Sequence, residues 1–376
     1  MLKSKGRLGL AALACVGLAI AISTPAAAWD RESGSVQNFL LPPGAPMVEG
    51  LTVDSNGNVY TSTFNPTGPK PSQLFIFGPG GGTPKSVTIS GSSNAMLGLA
   101  FRPGTDELLV IDFGMSQVLS VNPNLQTNNA QPCITLPGSS LTGGPTAAGA
   151  GLNGITFDAA GTIYVSDSFQ GIIWRFSPKE SRAPCGTAAP WFPANSLLMP
   201  GNGVPGFGAN GIEFNNEQNA MFVCNTATDW IVKIPVSGGT PGKGGTAGTP
   251  EVFTNSINGC DGLAIDSSDN IWAAANQADE IVVVDPTGKV IAKLGDFDGV
   301  DGGATKGLLF PASPAFSPDG KFLWVTNLEL DLRTITPHAP PNPDGVQTVD
   351  SQWAAEVTRH SIAKLPVPAT FPFFGP

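Results

Sequence analysis

A motif of about fifty residues that returns six times constrains this chain more than any other feature of its sequence. Each copy opens with a polar or small residue followed by Gly. It continues as a short apolar strand, turns through Asp, Asn, Ser and Gly, and returns as a second strand. The copies begin at Glu49-Gly50, Leu97-Gly98, Asn153-Gly154, Asn210-Gly211, Asp261-Gly262 and Ser313-Pro314, at spacings of 48, 56, 57, 51 and 52 residues. Second strands are expected at Val59 to Ser62, Leu108 to Ile111, Ile163 to Ser166, Met221 to Cys224, Ile271 to Ala274 and Leu323 to Thr326. Third strands follow in every copy, the last at Val357 to Ile362, and fourth strands are weaker, as at Glu251 to Thr254 and Val290 to Leu294. Four antiparallel strands per repeat, six times over, predict an all-β fold, a six-bladed β-propeller. The sixth copy lacks a fourth strand of its own while Val36 to Leu41 precedes the first copy, so the N-terminal strand is expected to close the last blade. Closure removes the strand edges that invite aggregation.

Composition agrees. Gly (47) and Pro (35) make up about a fifth of the 376 residues, which long helices do not tolerate. An apolar fraction of 41% argues against disorder.

Residues 1–28 have the pattern of an export signal, and 29–376 are expected to form one propeller domain. Lys3, Lys5 and Arg7 precede an apolar stretch from Leu8 to Ile22, and Ala26-Ala27-Ala28 offers a small-residue cleavage site before Trp29. Cys15 lies inside the apolar run, and plain secretion to the periplasm or the medium is the preferred reading over lipid anchoring. No later segment has the length and apolarity of a membrane span. Removing the leader takes the net charge from −10 to −13, and such an acidic surface repels nucleic acid. Cys133, Cys185, Cys224 and Cys260 remain, an even number that suits two disulfides in an oxidising compartment. Cys224 ends a second strand and Cys260 immediately precedes the next first strand, while Cys133 and Cys185 lie in the outer parts of neighbouring repeats. The expected pairs are Cys224–Cys260 and Cys133–Cys185.

In a propeller the first strands of all blades start at one end of the central channel, so their opening residues converge. Here these are Glu49, Asn153, Asn210 and Asp261, with Leu97 and Ser313. Two facing carboxylates repel and are costly to desolvate unless a cation joins them. With two amide oxygens they form an all-oxygen set without His or Cys, which suits Ca²⁺ better than Zn²⁺. The alternative is that each Asn-Gly or Asp-Gly pair is a tight turn. The stretch from Asp54 to Asn58 resembles the start of an EF-hand loop but recurs as a turn in every repeat and has no Glu at the twelfth position.

Glu-Gly, Asn-Gly, Asn-Gly and Asp-Gly in this order, one or two blades apart, resemble the SMP-30/gluconolactonase family, whose wider group includes the paraoxonases and diisopropylfluorophosphatase. The resemblance implies a six-bladed propeller with Ca²⁺ in the channel and hydrolysis of lactones or related esters. It implies Glu49, Asn153, Asn210 and Asp261 as the metal ligands, with Asp261 also the general acid/base. The first motif reads Glu49-Gly50-Leu51, where lactonases of the group often have Pro after Gly. The paraoxonase-type His pair is missing, since the only histidines are His338 and His360.

His360 is read as an ordinary residue of a third strand. His338 falls in a Pro-rich insertion, 329–352, read as a solvent-exposed loop with a lid as the alternative. Asp112, Asp167, Asn225 and Asn327 end second strands, where they serve either the pocket or the repeat architecture. Tyr60, Tyr164, Phe222, Trp272 and Trp324 are read as packing between blades. No Ser-His-Asp arrangement and no phosphate-binding loop is readable. The rival to the hydrolase is a non-catalytic propeller of the NHL type that binds a protein, peptide or glycan. A purely structural Ca²⁺ is a third possibility. Convergent carboxylates favour the enzyme.

Overall fold

In three of the repeats an Asp at the head of the hairpin turn and an aromatic residue in the second strand tie the first two strands together. Asp54 Oδ1 accepts from the amides of Asn56 and Asn58, while its Oδ2 accepts from Tyr60 Oη at 3.1 Å. Asp158 with Tyr164 and Asp266 with Trp272 repeat the arrangement. The Asp side chain thus supplies the turn with the hydrogen bonds its backbone lacks.

The computed structural model describes residues 36–136, 149–176, 188–201, 206–238, 245–332 and 350–368. The expected leader, Cys185 and His338 lie outside them. Six antiparallel four-stranded sheets form a ring of six blades. Blade 1 comprises Val48–Val53, Val59–Thr63, Gln73–Gly78 and Gly81–Thr88. Blade 2 comprises Met96–Phe101, Leu108–Asp112, Gln117–Val121 and Ala130–Thr135. Blade 3 comprises Leu152–Phe157, Ile163–Asp167, Ile172–Phe176 and Ala188–Phe192. Blade 4 comprises Ala209–Phe214, Ala220–Asn225, Trp230–Ser237 and Glu251–Thr254, with Thr246–Ala247 paired to the end of its third strand. Blade 5 comprises Cys260–Ile265, Ile271–Ala275, Glu280–Val284 and Val290–Leu294.

Blade 6 uses Pro311–Phe316, Phe322–Asn327 and Ser361–Pro366, and Gln37–Leu40 supplies its outer strand, in register from Gln37 opposite Lys364 to Leu40 opposite Ser361. The expected closure by the N-terminal strand is therefore present. Its third strand begins four residues later than the expected Val357. The segment before it is used elsewhere: a helical turn, Asp350–Ala354, precedes it, and Ala354 and Val357 pack on Leu309. An additional hairpin, Phe297–Asp301 with Ala304–Gly307, lies between blades 5 and 6 and holds Asn38 through both its amide groups and the backbone of Gly307. No helix among the described residues is long and apolar enough to cross a membrane.

Aromatic side chains fill the seams between blades, as read from the sequence. Tyr60 meets Phe101, Tyr164 meets Phe214 and Trp272 meets Phe316, each edge to face at centroid distances of 5.0 to 5.4 Å. Phe222 lies in the apolar cluster shared by blades 4 and 5, with its ring also against Phe253 of its own blade. The glycine of the repeated motif has a different task from a turn glycine. A Cβ on Gly211 would lie 2.7 Å from the carbonyl oxygen of Asp261, and one on Gly154 would lie 2.5 Å from that of Asn210. In the first five blades the inner strand approaches the next too closely for a side chain at this position, so Gly is required there. Blade 6 has Ser313 at the matching position.

Candidate metal centre at the channel mouth

At the start of every inner strand the pairing register slips between the first and fourth residues, as between Ala209 and Ile212 or Cys260 and Leu263. Such a bulge bends the strand and re-aims a side chain. Around the ring, Glu49, Leu97, Asn153, Asn210 and Asp261 line one pocket of about 410 Å³, counting the space at its mouth. The four polar residues expected to converge do so, and each is more than nine-tenths buried.

The second position that builds the site is the residue just after each second strand. Asn153 Nδ2 donates to Ser168 Oγ at 3.1 Å, Asn210 Nδ2 to Thr226 Oγ1 at 2.9 Å, and Asn276 Nδ2 to Asp261 Oδ2 at 3.0 Å. The hydroxyls pass the connection to the next blade: Ser168 Oγ donates to Ala209 O and Thr226 Oγ1 to Cys260 O. These bonds commit the amide nitrogens of Asn153 and Asn210 and not their carbonyl oxygens. Ser168, Thr226 and Asn276 were missed by the sequence reading, which weighed the strand-end residues one position earlier. A usable signal existed: each follows its partner by 15 or 16 residues.

The strand-end residues Asp112, Asp167, Asn225 and Asn327 serve the repeat architecture. Asp112 accepts from the amide of Ser93 and Asp167 from that of Gly151, while Asn225 donates to the carbonyls of Leu197 and Met199 and Asn327 accepts from the amide of Leu309. They anchor the loops that frame the mouth.

Three buried oxygens in the pocket lack a hydrogen-bond partner: Glu49 Oε2, Asp261 Oδ1 and Asn276 Oδ1. Burial, and then the charge of Asp261, holds the Glu49 carboxyl well above the usual range. Burial pushes Asp261 up to about 6 against the opposing hydrogen bonds of Asn276 and Asn210. Leaving such oxygens unpaired inside a protein costs about 1–3 kcal/mol each. Among the described residues no three His, Cys, Asp or Glu side chains cluster, so the set is two carboxylates with amides.

Cys224 and Cys260 form the expected disulfide, tying the end of the second strand of blade 4 to the start of blade 5, directly beside Thr226 and Asp261. Cys133 is also disulfide-bonded; its expected partner is outside the described residues. His360 departs from the expectation of an ordinary strand residue. It precedes the strand, and its Nδ1 lies 2.6 Å from Oε2 of the buried Glu329, whose Oε1 accepts from Thr305 and Ser361. A carboxylate sealed in the interior needs such partners, and the pair fastens the two stems of the insertion together. Farther along the channel, Glu213 accepts from Thr156 Oγ1 and its own neighbour Phe214 N, and burial pushes it up to about 7.

The fold and this mouth define a six-bladed propeller that carries a buried ring of carboxylate and amide side chains. The resemblance read from the repeated motifs is borne out: residues 207–295, which hold Asn210 and Asp261, match the model of the SMP-30/Gluconolactonase/LRE-like region. Regucalcin of Agrobacterium tumefaciens, a calcium-binding protein, is similar in structure over 90% of this chain and 98% of its own, at 18% identity and a TM-score of 0.57. A luciferin-regenerating enzyme is similar over 90% of this chain and 97% of its own, at 13% identity and a TM-score of 0.59. A gluconolactonase of Xanthomonas campestris is similar over 90% and 91%, at 12% identity and a TM-score of 0.55. At these identities the likeness speaks for the fold. No curated protein matches the chain in sequence.

Proposed function

We propose that the chain is an exported, calcium-dependent hydrolase of lactones or related esters, with its active site at the channel mouth. The observation that carries this reading is the set of unpartnered buried oxygens on Glu49, Asp261 and Asn276 in one pocket. Hard oxygen donors carrying two negative charges, with the carbonyl oxygens of Asn153 and Asn210 beside them, fit calcium better than a softer metal. Glu49, Asn153, Asn210 and Asp261 would hold the ion. When bound, calcium supplies a Lewis acid for a substrate carbonyl.

The chain's own residues account for the rest. Asn276 occupies Oδ2 of Asp261 and so orients the carboxylate, leaving Oδ1 without a protein partner. Asp261 accepts a proton from the attacking water as the new C–O bond forms, and returns it to the alkoxide as the acyl–oxygen bond breaks. Ser168 and Thr226 hold the amide nitrogens of Asn153 and Asn210, which fixes the direction of their carbonyl oxygens. The resemblance to the gluconolactonase group supports the reaction class. The Cys224–Cys260 bond supports export to an oxidising compartment.

The test is calcium content by elemental analysis together with a lactone and ester panel, with and without chelator. Bound calcium and chelator-sensitive turnover are expected. Stoichiometric calcium with no turnover of any lactone or ester would return the chain to the reading of a non-catalytic binding propeller.

A further inference from the structure

The pocket has a second half that the hydrolytic chemistry does not use. Beside the amides much of its wall is apolar, formed by Phe64, Phe310, Leu328, Leu330 and Leu97, with Phe207 from the approach to blade 4. Phe64 and Phe207 belong to an aromatic chain that runs around the mouth. Phe113 lies 6.2 Å from Phe64 and 6.0 Å from Phe207, and Phe169 lies 5.4 Å from Phe207, centroid to centroid. Phe207 itself is only half-buried, so part of its ring faces the opening. No Lys, Arg or His is among the described residues that line the pocket. Each amide nitrogen present already gives one hydrogen to a protein partner, Asn153 to Ser168, Asn210 to Thr226 and Asn276 to Asp261.

We infer that the substrate is a neutral lactone or ester carrying an alkyl or aryl arm, seated on the wall formed by Phe64, Phe207, Phe310, Leu328 and Leu330, and not a polyhydroxylated sugar lactone. This rests on the hydrolase reading of the same pocket. An anionic substituent reaching past the metal would find no Lys, Arg or His among the described lining residues to pair with. Each hydroxyl of a sugar laid against the phenyl wall would lose its water without gaining a partner, which costs about 1–3 kcal/mol. An apolar arm gains there instead, about 0.8 kcal/mol for each methylene taken out of water. The division also sets the orientation, with the reacting carbonyl over Asp261 and the arm over Phe64, Phe310, Leu328 and Leu330 at blades 1 and 6, beside Phe207.

A series of γ-lactones with ring substituents from hydrogen to hexyl, measured beside glucono-δ-lactone, tests this. The expected result is that kcat/KM rises about threefold to fourfold per methylene over the first few carbons, with every substituted lactone above the sugar lactone. Phe207→Ala should flatten that slope. Equal or better turnover of glucono-δ-lactone, or a slope that Phe207→Ala leaves unchanged, overturns the inference while leaving the hydrolase reading intact. If no lactone is turned over, the hydrolase reading fails and the wall is judged separately by calorimetric binding of 5-alkyl-2-pyrrolidinones to the calcium-loaded protein. Affinity that climbs with arm length then supports the apolar subsite, and affinity independent of length overturns it.

Discussion

Blades 3, 4 and 5 and blades 6, 1 and 2 present the same two positions to the channel mouth and fill them in opposite ways. In the first three, the strand-start residue and the residue after the second strand are polar and bonded to each other: Asn153 with Ser168, Asn210 with Thr226, Asp261 with Asn276. In the other three the same positions read Ala312 and Leu328, Glu49 and Phe64, Leu97 and Phe113, the position in blade 6 falling one residue before the expected Ser313. The propeller decides where side chains converge and leaves their chemistry open. Burial explains why the polar residues come in bonded pairs, since a buried polar group without a partner is costly. Glu49 is the exception that links the halves: a carboxylate on the apolar side, facing Asp261 across the mouth.

The largest effect that would break this contrast is loss of the charge on the polar side. Asp261→Asn keeps the shape and removes both the proposed charged ligand and the proposed proton acceptor, so turnover should fall by about 10²–10⁴-fold and calcium affinity with it. Steady-state kinetics and calcium titration on the purified variant check this, and full calcium affinity would mean that Asp261 is not a ligand. Phe113→Ala does the reverse. It removes a buried ring at the centre of the aromatic chain, which should lower stability by about 3–4 kcal/mol with calcium stoichiometry kept. Denaturant unfolding in saturating calcium reads the first and elemental analysis the second.

Breaking the disulfide beside the polar half should have a somewhat smaller effect. Cys260→Ser is expected to reduce stability by about 2–4 kcal/mol. It should also weaken calcium binding, because Cys260 immediately precedes Asp261 and its carbonyl accepts from Thr226. A variant that unfolds earlier yet binds calcium as tightly as the parent would separate the disulfide from the site.

The smallest predicted effect is one of pH. In calcium-free protein the folded-state values of Glu49 and Asp261 lie above their unfolded values. Folding therefore favours the protonated carboxyls, and the associated stability is present at low pH and lost as pH rises through about 6. The part of the decline due to Asp261 should amount to about 2 kcal/mol between pH 4 and 7, should be missing in Asp261→Asn and should vanish with calcium bound. Glu213 titrates higher, near 7, so Glu213→Gln removes its own contribution and leaves the decline near 6 in place. Thermal melts across pH on the three proteins with chelator resolve the two, and a melting temperature that rises over this interval contradicts the assignment.

Much of this was legible because a repeat makes one residue's role visible at six positions. The blade phase, the closure by the N-terminal strand and the convergence of Glu49, Asn153, Asn210 and Asp261 all follow from periodicity. So does the Cys224–Cys260 pairing, since both ends fall at one end of adjacent blades. The late start of the last third strand was hidden because the docking of Ala354 and Val357 on Leu309 is a contact between distant segments. His360 looked ordinary for the same reason, with its partner Glu329 at the other stem of the insertion.

The amino-acid sequence by itself determined the number of blades, the strand order and the residues that head five of the six inner strands, because these depend on local pattern and turn chemistry repeated along the chain. In blade 6 the position is Ala312, one residue before the expected Ser313. Only the tertiary structure decided which of those residues are paired and which oxygens are left over, and that an aromatic wall faces them. Phe64, Phe113, Phe169 and Phe207 come from the junctions of separate blades. They meet because the ring closes, and no spacing along the chain records how closed rings bring their rims together.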